Sequence, residues 1–114
     1  MANLDSYRNA VQQALLNYAQ MRSGTSSNSE LELQILFDSQ HDHYQLTYVG
    51  WHKSKRVYGP ILHLDIKDEK IWLQLNTTED DITLDLMKLG IAKDDIVLGF
   101  HSPYMRQFTE FAVG

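Results

Sequence analysis

Apolar positions recur at steps of three and four over the first part of the chain. Leu4, Tyr7, Val11, Leu15 and Tyr18 fall on one stripe, with Ala14 and Met21 beside it, while Arg8, Gln12, Gln13 and Asn17 lie outside. That spacing predicts an amphipathic helix, with Asn3 or Asp5 accepting from the free amides at its start. The helix is expected to stop near Met21-Arg22. The run Ser23-Gly24-Thr25-Ser26-Ser27-Asn28-Ser29 then reads as a flexible loop over residues 23–29.

From Glu30 the period changes to two. Leu31, Leu33 and Ile35 alternate with Glu30, Glu32 and Gln34, and the strand ends at the polar turn Asp38-Ser39-Gln40-His41-Asp42. A second strand is expected from His43 to Trp51 and a third from Arg56 to Ile66, bent or bulged at Gly59-Pro60 because proline cannot donate to a ladder. After the tight turn Lys67-Asp68-Glu69-Lys70 comes Ile71-Trp72-Leu73-Gln74-Leu75. Four strands joined by short polar turns predict an antiparallel β-meander. A second helix follows, with Asn76 to Asp81 as its capped, acidic start, Ile82, Leu86 and Leu89 as its buried stripe, and Gly90 at its end. Ile96 to Phe100 reads as one more turn or a short strand. The tail, residues 101–114, keeps Tyr104, Met105, Phe108 and Phe111, and so is expected to dock on its own domain or on a partner. The fold class expected is α+β: N-terminal helix, four-stranded antiparallel meander, second helix, short C-terminal strand and tail.

Length and composition narrow the function. The 114 residues fit a single domain, 1–114, large enough to bury a core without staples. There is no cysteine, which removes disulfides and thiolate metal sites and suits a reducing, cytoplasmic setting. The start Met1-Ala2-Asn3-Leu4-Asp5 has neither a basic nor an apolar stretch and reads as no signal peptide. No run approaches the length of a membrane helix. Net charge is −5, with Lys53-Ser54-Lys55-Arg56 the nearest thing to a basic cluster. That argues against direct nucleic-acid binding, because gripping phosphates calls for a basic face.

Catalytic constellations are weak. His41-Asp42-His43 has the chemistry of a divalent-metal site, but the two imidazoles bracket a turn and match no strong ligand spacing. Asp68-Glu69-Lys70 resembles half of a nuclease site, yet acid and lysine residues are ordinary in a hairpin turn. His63 falls on the strand face opposite Leu62 and Leu64, without a convergent partner. There is no Gly-rich phosphate loop and no nucleophile elbow around Ser102. No catalytic, cofactor-binding or metal-ligating residue is therefore assigned, and no cofactor is expected. Aromatic and arginine residues are favoured interface anchors, which makes Trp51, Arg56, Tyr58, Tyr104, Arg106 and Phe111 the candidate partner interface.

Longer strings carry a resemblance. The blocks Asp42-His43-Tyr44-Gln45-Leu46, Val49-Gly50-Trp51, Arg56-Val57-Tyr58-Gly59, Leu62-His63-Leu64-Asp65-Ile66-Lys67 and Lys70-Ile71-Trp72-Leu73-Gln74 resemble the XisI-like family, the fdxN-element excision controlling factors. So does the ending Asp94-Asp95-Ile96-Val97-Leu98-Gly99-Phe100-His101, Pro103-Tyr104, Arg106 and Phe111-Ala112-Val113. The resemblance implies a cyanobacterial, non-catalytic controlling factor for excision of a DNA element by site-specific recombination during heterocyst differentiation. It further implies an XisH-like companion protein and, beyond it, a recombinase as partners. Two other classes stay in view: a DNA-binding accessory protein, and a metal-dependent nuclease or hydrolase using His41, His43 and Asp65. A half-bare sheet and an apolar tail also make a homodimer one way of covering them.

Overall fold

The computed structural model describes residues 4–23 and 30–114. Helix α1 (Leu4–Ser23) is built on the expected stripe: Tyr7, Ala10, Val11, Ala14, Leu15 and Tyr18 are buried. Leu4 and Met21, assigned to the same stripe, sit in the end turns and are exposed. The helix runs to Ser23, so the remaining loop expected at residues 24–29 lies outside the described residues.

Strands β1 (Leu31–Asp38), β2 (His43–His52), β3 (Lys55–Lys67) and β4 (Lys70–Asn76) pair antiparallel with their neighbours in chain order, which is the expected meander. The turns Lys53-Ser54 (φ 48° and 70°) and Asp68-Glu69 (φ 53° and 61°) take the positive-φ geometry that matches strand twist in two-residue hairpins. Pro60 faces Thr47 and Leu62 faces Leu46, so Ile61 is bulged out, next to the proline where a bend was expected. After helix α2 (Ile82–Lys88) the chain crosses back, and β5 (Ile96–Leu98) lies parallel to β4. The result is a five-stranded mixed sheet in the order β1-β2-β3-β4-β5. The parallel direction of β5 was not legible beforehand, because a strand this short carries no record of its orientation. At α2 the cap is Asp81, whose carboxylate accepts from the amide of Thr83, and Leu89 is the exposed final residue before Gly90 turns the chain at φ 99°.

One face of the sheet carries the core. Tyr44 and Leu46 from β2, Leu62, Leu64 and Ile66 from β3, Ile71 and Leu73 from β4, and Ile96 from β5 meet α1, with Ile82 and Leu86 of α2 closing one side. A carboxylate fixes how α1 lies on this face. Arg8 donates from Nε to Asp42 Oδ1 at 2.7 Å and from Nη2 to Asp42 Oδ2 at 3.1 Å, and the Tyr44 hydroxyl donates to the same Oδ1 at 3.0 Å. Asp42 itself takes a left-handed conformation, φ 62°, at the end of the β1–β2 turn. The Arg8 hydrogen bond outweighs partial burial and keeps the Asp42 carboxyl below its usual range. Farther along the domain, the Tyr7 hydroxyl donates to Asp95 Oδ2 at 2.5 Å.

The tail docks on its own domain. Helix α3 (Pro103–Arg106) is capped by Ser102, the Ala112 amide donates to the Ile96 carbonyl at 2.8 Å, and Phe111 packs against the core. Arg106 lies over the Trp72 ring at 5.0 Å, while Lys67 approaches the same ring at 4.2 Å. Among the described residues, no helix is long and apolar enough to cross a membrane.

Leu64 has no exposed surface, so Leu64→Ala is expected to cost about 2–5 kcal/mol, read from the urea midpoint. Burial, and then hydrogen bonding to a carboxylate, push the hydroxyls of both Tyr7 and Tyr44 up to about 12. A raised pKa contributes stability that is complete below the ordinary tyrosine value of about 10 and lost as pH climbs through the folded one. Denaturation midpoints should therefore fall between these two values, and Tyr7→Phe should flatten the fall.

Candidate functional site

The outer face of the sheet brings together residues far apart in sequence. His43 on β2 is paired directly with Asp65 on β3, and His63, two residues before Asp65, shares its face by strand alternation. His43 Nδ1 lies 2.8 Å from Asp65 Oδ1, and His63 Nε2 lies 2.7 Å from the same oxygen. The two imidazole rings meet edge-on at 6.4 Å. On the other side of the carboxylate, Gln74 Nε2 donates to Asp65 Oδ2 at 3.2 Å.

Gln74 is available because of a second bulge. His63 faces Leu75 and Leu64 faces Leu73, which leaves Gln74 unpaired in the ladder. Gly99, just past β5, then makes room for it: a Cβ there would collide with the Gln74 amide oxygen. The arrangement is graded in exposure, with the His43 side chain 59% exposed, His63 31% and Asp65 16%. Burial pushes the Asp65 carboxyl up, but hydrogen bonds from His43, His63 and Gln74 together hold it below its usual range. The same carboxylate raises the His43 imidazole against a smaller opposing effect of desolvation. Chemically, this is a carboxylate oriented on one side and shared by two imidazoles on the other.

The residues weighed from sequence fall into separate places. His41 is not part of the cluster: its Nδ1 lies 2.8 Å from Asp38 Oδ2 within the β1–β2 turn. The trio His41, His43 and Asp65 is thus split, and His63 takes the place given to His41. Asp68 and Glu69 occupy the positive-φ turn positions and join no group of metal-ligating side chains among the described residues. Trp51, Arg56 and Tyr58 gather at the β2–β3 hairpin end, where Arg56 lies over the Trp51 ring at 5.6 Å and Tyr58 is 75% exposed. Tyr104 is exposed and stacks edge-on with Phe108 at 5.3 Å. Arg106 and Phe111 are engaged within the chain, Arg106 Nε donating to the His101 carbonyl at 3.0 Å and Phe111 resting on the core.

A mixed five-stranded sheet, covered by a helix on one face and carrying a polar cluster on the other, defines a small α+β domain of one recognisable kind. Residues 1–113 match the model of the XisI protein family, and the chain belongs to that family. It is similar to the crystal structure of a XisI-like protein from Anabaena variabilis ATCC 29413, with 40% identity, a TM-score of 0.89, and coverage of 98% of this chain and 100% of that one. It is also similar to the fdxN element excision controlling factor XisI from the same organism, with 34% identity, a TM-score of 0.83, and coverage of 97% of this chain and 98% of that one. No curated protein matches it.

Asp65→Asn removes the charge that raises His43. The His43 ring, followed by NMR across pH, should titrate at lower pH in the variant. An unchanged midpoint would show that Asp65 does not control it.

Proposed function

We propose that this chain is a non-catalytic controlling factor for excision of a DNA element by site-specific recombination in cyanobacterial heterocyst differentiation, acting through protein partners in the cytoplasm. The observation that carries the reading is the likeness, at 34% identity over 97% of this chain, to a protein described as an fdxN element excision controlling factor. The charge supports it: a chain of net charge −5 is poorly suited to gripping DNA alone and well suited to binding a protein that does. The partners in this reading are an XisH-like companion and, beyond it, a recombinase.

Two exposed aromatic groups offer anchors of the kind that dominate protein interfaces. One is Trp51, Arg56 and Tyr58 at the hairpin end; the other is Tyr104 on the tail, stacked with Phe108, in the same segment as Arg106 and Phe111. The tail is tested with point variants rather than a truncation, because Phe111 and Ala112 also hold the fold.

The tagged chain, purified from the native cell, should carry the XisH-like companion, identified by mass spectrometry. Trp51→Ala with Tyr58→Ala, or Tyr104→Ala, should weaken capture at least about tenfold while leaving the circular dichroism unchanged. Loss of the gene should also reduce element excision in differentiating cells. Wild-type excision without the gene, together with no captured companion, overturns the reading.

A further inference from the structure

We propose that His43 Nδ1, His63 Nε2 and Asp65 Oδ1 form a binding site for a divalent first-row transition ion on the outer face of the sheet, with Zn²⁺ as the ion that best suits the donors. This goes beyond the excision reading and does not depend on it.

Donor chemistry comes first. Two imidazoles and one carboxylate make a borderline-soft set that favours zinc and its neighbours over calcium or magnesium, which prefer oxygen ligands alone. Geometry agrees. The three donor atoms lie within 4.8 Å of one another, and the two imidazole nitrogens stand 2.7 and 2.8 Å from the shared carboxylate oxygen. In tetrahedral geometry, metal–ligand bonds of about 2.0–2.2 Å place neighbouring donors about 3.3–3.6 Å apart. An ion would thus enter with small side-chain shifts, replacing the imidazole–carboxylate hydrogen bonds, while any proton on a coordinating nitrogen leaves to solvent.

The support behind the donors is already in place. Metal-ligating carboxylates are oriented by hydrogen bonds to their outer atoms, and Gln74 holds Asp65 Oδ2 from the side away from the histidines. Gly99 in turn leaves room for the Gln74 amide. All three donors stand on β2 and β3, in the middle of the sheet, so their backbones are fixed by ladders on both sides. The exposed flank at His43 leaves further coordination positions to water. By contrast, His41 pairs with Asp38 and, among the described residues, joins no group of three metal-ligating side chains.

The test is calorimetric titration of chelator-treated full-length chain with ZnCl₂ near neutral pH, paired with Co²⁺ as a visible-absorbing substitute. One saturable site per chain is expected. His43→Ala and His63→Ala should each weaken it by more than about tenfold, Gln74→Ala should weaken it by about tenfold, and His41→Ala should leave it unchanged. Circular dichroism checks that each variant folds. Should one not fold, NMR of the wild type replaces it: Co²⁺ should shift the ring protons of His43 and His63 and spare those of His41. Absence of saturable binding, equal binding by the His43→Ala/His63→Ala double variant, or a loss with His41→Ala as large as with His63→Ala overturns the site. So does a Co²⁺ shift at His41 without one at His63. Companion capture is read separately, so the two proposals fail independently.

Discussion

The burial of α1 against one face of the sheet is the interaction on which the other features depend. Val11 and Leu15 on the helix, and Leu46, Leu62 and Leu64 beneath it, are fully withdrawn from water. Residue alternation along each strand then commits the opposite face to a different role. With the apolar side chains of the central strands gathered inside, His43, His63, Asp65 and Gln74 stand outside without displacing any core residue. A one-residue slip in β2 or β3 would bury this polar set and expose the leucines. The same hydrophobic pattern therefore specifies both the core and the position of the cluster.

Two aspartates divide the work of organising the domain. Asp42 lies at the start of β2, where its carboxylate takes a two-point grip from Arg8 and a hydroxyl from Tyr44, and so fixes the helix on the sheet. Asp65 sits in the next strand and takes its bonds from imidazoles and an amide on the other face. Both carboxyls are held ionised, but by different partners: a guanidinium that always carries charge, and two imidazoles with an amide. The first arrangement is suited to permanence, the second to exchange.

Periodicity made the helices and the meander readable, since a repeat of 3.6 or 2 survives in the sequence itself. The bulge beside Pro60 was readable for a local reason, the missing amide. The cluster was only half readable. His63 and Asp65 are two apart on one strand, which already places them on a common face, but their meeting with His43 depends on cross-strand register. That register is set by turn geometry and the Ile61 bulge, and a single strand does not display it. Gln74 was hidden more deeply, because its orientation follows from a bulge in β4 and from the absence of a side chain at Gly99. The tail aromatics looked alike in sequence; the fold separates Phe111, which packs inward, from Tyr104, which does not.

The edge formed by β5 has a consequence for how the domain breathes. This strand is three residues long, arrives by a crossover, and is held by a short parallel ladder and by Ala112. Amide exchange along that margin should proceed by local opening, at a free-energy cost well below that of unfolding the meander. Gly99 lies at the same margin and bounds the space that holds Gln74. An opening there would free the Gln74 amide before either histidine moved, so the outer cluster is loosened from its supported side while its two donor strands stay paired.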